Sequence, residues 1–514
     1  MGASMLQTSI CALVSALPLV TSCATLPKIP VRTATYTPQA PTESELRSAI
    51  DGLTSANPGR SGIHPLRSGL DAFAARMALI DAAASSLDVQ YYIWHDDTTG
   101  RLLVDALRRA ADRGVRVRLL LDDNGTHGMD ATLAALAVHG KVQIRLFNPF
   151  VQRSARFMGY LTDFKRLNHR MHNKSLTADG VATIVGGRNV GDEYFQAGAG
   201  IEFIDLDVLA IGPAAIEVAR SFDDYWNSDS AYPATLILPS AKSADVDRLA
   251  SLGATEMSVP GAQRYMDAAR STAIVRDLRA RSLSFEWADA RVLADSPAKA
   301  LGTVTRSELV VGQLEAMLGH QIDHKFDLVS PYFVPQEQGV ALLGRFAARG
   351  VKVRVLTNAL EATDVAAVHA GYAPRRVPLL KSGVELFELR RVKGSEHSAS
   401  SEHGSTASLH AKTFAVDNQD LFVGSFNFDP RSAQLNTELG LLVRSASFAT
   451  QLSDAFDTKL PSIAYRVRLE HDDHLEWLEL RDGKEIRYTH EPGVGFLRRA
   501  WVGFLSILPI EHLL

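Results

Sequence analysis

The sequence predicts an α/β protein made of two duplicated α/β sandwich domains, related by a pseudo-twofold axis with a shared site between them. Three observations carry this. Each half runs strand, helix closed by Arg-Gly, strand, and the Arg-Gly pairs at 113–114 and 349–350 lie 236 residues apart (349 − 113). A set of polar residues recurs at nearly the same offset, 238 (412 − 174). The strands after each helix are apolar runs of the kind a helix-covered sheet buries on both faces.

The recurring set is His172-Asn173-Lys174 followed by Asp179, Gly186, Gly187 and Asn189, and His410-Ala411-Lys412 followed by Asp417, Gly424 and Asn427. Lys follows His by two, Asp follows Lys by five, and Asn follows Asp by ten in both copies. One such five-position match arises by chance in roughly one chain of this size in several thousand, at about one in twenty per position. Two copies therefore mean duplication.

In chain order, residues 1–23 read as a signal peptide. An apolar run over 10–20 is too short to cross a bilayer, and Val20-Thr21-Ser22-Cys23 has the form of a bacterial lipobox. Cleavage there makes Cys23 the lipid anchor. The only other cysteine is Cys11, so the exported chain keeps no spare thiol. Residues 24–60, rich in Pro, Thr and Ser, read as an extended tether. The first domain spans 61–260, with strands at 87–94 and 115–121 and a helix at 102–112. The second spans 261–465, with strands at 327–333 and 351–356 and a helix at 340–348. Residues 466–514 form a tail. A hairpin at 475–488 turns at Asp482-Gly483, and a mostly apolar helix at 494–508 either packs on the core or lies in the membrane interface.

With 514 residues, 46% hydrophobic and 22% charged, the composition is globular. The net charge of -4 lacks the broad basic balance of nucleic-acid binders, so no nucleic-acid partner is expected.

Residues two apart on a strand face the same way, so each His projects with its Lys. Small residues at Gly186-Gly187 and Gly424-Ser425 admit a ligand close to the backbone. Asp429-Pro430 looks like the start of a helix whose amides can face an anion. Two imidazoles on opposite sides of one phosphate resist double protonation, so one is neutral and one charged near pH 7. The neutral ring attacks phosphorus, and the charged one protonates the leaving alkoxide. Lys174, Lys412, Asn189 and Asn427 stabilise the non-bridging oxygens. No metal or other cofactor is required, and no compact ligand cluster is visible in the sequence. Glu438 and Asp205 are the candidates to orient the two rings, with Asp207 competing. Asp179 and Asp417 read equally as catalytic or as turn residues. The basic run Arg153, Arg156, Lys165, Arg166, His169 and Arg170 is a solvated face or a lure for anionic headgroups. Tyr91, Tyr92, Trp94, Tyr332 and Phe333 either line an entrance or belong to the core.

The paired motif resembles the HKD signature of the phospholipase D superfamily at His, Lys, Asp and Asn. Tyr91-Tyr92-Ile93-Trp94, the stretch from Gly186 to Phe195, Ser330-Pro331-Tyr332-Phe333-Val334-Pro335, the stretch from Gly424 to Ser432, and Leu508-Pro509-Ile510-Glu511 narrow the resemblance to C-type bacterial cardiolipin synthases. It implies phospholipase D-like domains, a phosphatidyl group carried on His172, and His410 as acid and base. The substrates it implies are phosphatidylglycerol and phosphatidylethanolamine at a membrane surface, reached by export across the inner membrane, and Ala24 favours outer-membrane sorting. A phospholipase D hydrolase, a secreted phosphodiesterase and a non-catalytic lipid-binding protein remain alternatives.

Overall fold

The computed structural model describes residues 25–38, 44–198, 201–318, 322–393, 406–508 and 511. The signal peptide and Cys23 lie outside them.

The duplication is visible strand by strand. In the first half the sheet runs Ser61–Leu66, Asp207–Ile211, Ala182–Gly186, Ser175–Ala178, Ser86–Ile93, Arg116–Gly125, Val142–Phe147, Ala231–Pro233. In the second it runs Glu286–Ala294, Leu439–Arg444, Asp420–Gly424, Lys412–Val416, Lys325–Val329, Lys352–Asn358, Glu385–Leu389, Ala464–Leu469. Position by position the two orders correspond. Ser61–Leu66 also pairs with Glu286–Ala294, so the halves join edge to edge.

Helices cover both faces of each sheet, as the apolar strands require. Val117, Leu119 and Leu121 pack with Phe73, Leu103 and Leu107 on one side, while Leu120 points the other way onto Phe222, Tyr225 and Trp226. A further apolar cluster crosses between the halves, joining Ile63, Val185 and Val208 to Ala290, Val423 and Leu441. The expected helices end where Arg-Gly predicts, at Asp112 and Ala348, with Gly114 (φ 94) and Gly350 (φ 89) in the left-handed region.

Each half also buries a duplicated ion pair. Arg118 meets Asp88 at 2.6 Å, and Arg354 meets Asp327 at 2.6 Å. In the first half Asp223 is a further partner at 2.6 Å.

Three expectations change. Residues 25–38 are not a free tether, because the backbone amide of Thr37 donates to Asp223, its hydroxyl to Asp88, and Thr35 accepts from Arg118. Their polar atoms complete the buried ion pair. Within 24–60 there is also a regular helix, Glu45–Ser55, capped by Ser44. Finally, the helices Pro260–Arg270 and Ala273–Arg279 place Tyr265, Met266, Ile274 and Val275 in the first half's core, so by packing that half extends past residue 260.

The hairpin forms as Leu475–Arg481 and Lys484–Tyr488 around Asp482 (φ 52) and Gly483 (φ 74), and extends the second sheet through Ala464–Leu469. The last helix, Phe496–Leu505, sets Val502 and the half-buried Leu505 against Leu360 and Ala370 and leaves Phe496, Leu497, Trp501 and Phe504 outward. No described helix is long and apolar enough to cross a membrane.

Candidate active site

Both motifs sit where strands of their own half end. His172 precedes Ser175–Ala178, and His410 lies in the break between Thr406–Leu409 and Lys412–Val416. The sequence placed each His within a strand, but neither lies inside a regular one. Each is held instead by backbone of the opposite half. The His172 amide donates to the Thr437 carbonyl at 2.9 Å, and the His410 amide to the Ile204 carbonyl at 2.8 Å.

The side chains cross over in the same way. His172 Nδ1 lies 2.9 Å from Glu438 Oε2, and His410 Nδ1 lies 2.6 Å from Asp205 Oδ2. Each imidazole is thus oriented by a carboxylate from the other half, which leaves each Nε2 free of the pair. Asp207, the competing candidate, is taken up by Arg76 at 2.8 Å and by the Arg188 amide. The Ser425 hydroxyl donates to Glu438 at 2.5 Å. At the matching position Gly187 is required, because a Cβ there would lie 2.2 Å from Asp205 Oδ1.

The two motifs form one electrostatic unit. Burial lowers the His172 pKa well below the usual value, and the charges of Lys174, Lys412 and His410 lower it further. His410 is also lowered, by burial and by Lys412, but ionised Asp205 opposes this. Asp205 itself is held far below the usual carboxylate range, against its burial, by His410, Lys412 and Arg188. Burial pushes Glu438 up to about 7 and brings Lys412 down to about 8. Lys174 is pulled well below the usual lysine value by burial. Both shifts favour the neutral ring, more strongly at His172, while Asp205 supports a proton on His410.

Aromatic rings wall the pair. Tyr92 meets His172 edge-on at 5.0 Å. Phe203, Tyr194 and Tyr332 lie 4.8, 5.2 and 6.3 Å from His410. Of the aromatics flagged in the sequence, Tyr92 and Tyr332 line the site, whereas Tyr91, Trp94 and Phe333 are core.

Asp179 and Asp417 are not brought to the imidazoles. Each lies five residues beyond its Lys, about 16 Å along an extended chain, and turns its carboxylate to backbone. Asp179 accepts from the amides of Ala84, Ser85 and Ser86, and Asp417 from those of Asp323, His324 and Lys325. Their φ values of 53 and 50 fit tight hairpin turns. They clasp the start of the neighbouring strand and are structural.

The two Asn residues differ. Asn189 accepts from the Ile93 amide at 3.2 Å and donates to the Tyr194 hydroxyl at 3.0 Å, so it holds the wall. Asn427 is 3% exposed, and its Oδ1 has no partner among the described residues, a buried acceptor left open to a donor such as a ligand hydroxyl. The expected anion-facing helix end at Asp429-Pro430 is occupied by Asp429 itself, which accepts from the Ser432 amide at 2.6 Å. Most of the basic run is neutralised: Arg153 and Arg156 pair with Asp130, Arg166 with Asp163, and Arg170 with Asp122.

Asp295 and Lys299, which no local pattern marks, support Glu438 from behind. Asp295 Oδ2 accepts from the Glu438 amide at 2.8 Å and from Lys299 Nζ at 2.8 Å. Nor does a local pattern mark His95, Asp97 and Glu193, whose ligand atoms lie within 4.8 Å of one another. Asp97 there caps the helix Thr98–Asp112. A cavity of about 820 Å³ beside Glu45–Ser55, lined by Ile50, Met77, Met266 and Phe285, contains no motif residue.

Residues 77–226 and 318–460 match the family described as cardiolipin synthase, PLD-like domain, one segment around each motif. Cardiolipin synthase C of Escherichia coli (strain K12) is 46% identical over 472 residues, covering 91% of this chain and 99% of that protein. The chain belongs to the PLD-like cardiolipin synthase family. It is thus an enzyme of the phospholipase D superfamily, of phosphatidyltransferase type. Within the family, cardiolipin synthase A of Pseudomonas putida (strain GB-1) is 30% identical over 76% of this chain and 68% of its own length. The fold is shared with phosphatidylserine synthase of Haemophilus influenzae Rd KW20, at TM-score 0.54 and 12% identity over 91% of this chain and all of that one.

Proposed function

We propose that this enzyme transfers a phosphatidyl group from a phospholipid, phosphatidylglycerol or phosphatidylethanolamine, to a hydroxyl of phosphatidylglycerol, forming cardiolipin at a membrane surface. The observation that carries the reading is the crossed pair of carboxylate-oriented imidazoles. In the first step His172 Nε2 attacks phosphorus while His410 gives its proton to the departing headgroup oxygen. The P–O bond breaks and a phosphohistidine remains. In the second step His410 takes the proton from the acceptor hydroxyl, its oxygen attacks phosphorus, and the P–N bond breaks. Lys174, Lys412 and the Asn427 amide face the charge that builds on the non-bridging oxygens. Phe203, Tyr194 and Tyr332 around His410 give the base an apolar wall that suits an acceptor alcohol carrying acyl chains. Cys23 supplies an acyl anchor in this reading.

The test is incubation with labelled phosphatidylglycerol, with and without phosphatidylethanolamine. Labelled cardiolipin supports the proposal. Phosphatidic acid as the sole product assigns hydrolysis, and turnover retained in His172→Ala removes the mechanism.

A further inference from the structure

We infer that the enzyme docks on the bilayer through two apolar helical patches, one from each half, that flank the opening above the two imidazoles. The inference rests on the proposed lipid substrate and names the surface that meets it.

The first patch is Phe157, Met158, Leu161 and Phe164, on the helices Arg156–Thr162 and Phe164–Leu167. The second is Phe496, Leu497, Trp501 and Phe504 on Phe496–Leu505, with Ile507 just beyond. These are large apolar side chains in the open, Leu161 at 75% and Leu497 at 82% exposure. Exposed apolar side chains elsewhere among the described residues are mostly scattered singly, as on any globular surface.

Hydrogen bonds tie each patch to one side of the catalytic site. From the first, the Tyr160 hydroxyl donates to Asn124 Oδ1 at 3.1 Å, Asn124 lies beside the Tyr92 side chain, and Tyr92 meets His172 edge-on. From the second, Arg498 donates to the Thr363 carbonyl at 3.2 Å. The next residue, Asp364, accepts from the Tyr332 hydroxyl at 2.7 Å, and Tyr332 meets His410 edge-on. Tyr92 and Tyr332 play matching parts, each edge-on to its own half's imidazole and beside that half's motif Lys. The patches thus flank one mouth.

The occupant is a phospholipid surface. A substrate with two acyl chains reaches buried imidazoles from a bilayer only if the mouth faces it. Aromatic and aliphatic side chains, Trp501 stacked on Phe504 at 5.8 Å among them, suit the headgroup and acyl boundary. Lys165, Arg498 and Arg499 border the patches with positive charge that complements anionic headgroups.

The test uses the full chain carrying Cys23→Ala, so that no acyl group contributes, in flotation with vesicles of phosphatidylglycerol and phosphatidylethanolamine. Phe157→Glu with Leu161→Glu, and separately Leu497→Glu with Trp501→Glu, should each raise the lipid concentration for half-binding at least tenfold. Val138→Glu, an equally exposed apolar site outside both patches, should leave it unchanged. Unaltered flotation of the four-site variant overturns the inference. So does a dimer that the same substitutions dissociate while wild-type protein ignores vesicles. If a glutamate variant fails to fold, wild-type Trp fluorescence decides: adding vesicles should shift it to the blue, and Trp501→Phe should remove most of that shift. A wild-type spectrum unmoved by vesicles also overturns the inference. Flotation needs no turnover, so failure of the transfer reaction in detergent micelles would remove the proposed function and leave this result standing.

Discussion

Replacing Glu438 by Gln tests the crossed-pair mechanism with little change in shape. The carboxylate accepts from His172 Nδ1 at 2.9 Å and from the Ser425 hydroxyl at 2.5 Å, while Asp295 holds its backbone amide. Loss of a charge-assisted hydrogen bond costs about 1.5–3 kcal/mol, which at 1.4 kcal/mol per tenfold is roughly 10- to 150-fold in rate. The amide adds a second penalty. Its NH₂ donates to Nδ1 and fixes the proton on Nε2, the atom that must attack. In a triad, the comparable Asp-to-Asn change costs about 10⁴. Phosphohistidine formation should therefore slow by about 10²- to 10⁴-fold. The assay is single-turnover labelling with phosphatidylglycerol, quenched in base to preserve the P–N bond. Glu438→Asp should keep the tautomer and lose less. A Glu438→Gln rate within about threefold of wild type would refute the assignment of Glu438 as the group that orients the nucleophile.

Phosphatidyl transfer should be bell-shaped in pH. The acidic limb lies near 7, where Glu438 must lose its proton to accept from Nδ1, and the alkaline limb follows the acid His410, whose pKa burial lowers, and then Lys412 near 8, as each gives up its proton. Initial rates across pH 5–9 check this, and Glu438→Gln should flatten the acidic limb. His410→Ala should still form the phosphoenzyme from a phosphatidyl ester of p-nitrophenol, a leaving group that needs no acid, and should then stall. His172→Ala should show no burst of nitrophenolate. Asp179→Ala should lower the thermal midpoint while the folded enzyme keeps its single-turnover rate within about threefold, because the carboxylate holds only the amides of Ala84, Ser85 and Ser86 and the Ser85 hydroxyl. Arg118→Met should cost about 3–5 kcal/mol in denaturant unfolding, since it strands Asp88 in the core and leaves Asp223 without its guanidinium partner.

Local spacing along the chain already carries much of this architecture. The duplicated strands and helices, the Arg-Gly helix ends, the turns at Asp179-Gly180 and Asp482-Gly483, and the pairing of each His with a Lys all follow from short-range periodicity and turn chemistry. Glu438 and Asp205 were legible as partners because each is an acid set in an apolar stretch a short way beyond its motif's Asn. Which ring each serves came from the folded chain, because the carboxylates cross between halves more than two hundred positions apart. The same limit hid the clasping role of Asp179 and Asp417, since an Asp at a turn reads alike whether its carboxylate meets backbone or substrate. It hid the docking of Thr35 and Thr37 on a buried ion pair, and the Asp295 and Lys299 support beneath Glu438. Spacing along a chain fixes which side chains travel together. Which distant ones they meet is set by the packing of one sheet edge against another, and no local pattern encodes that.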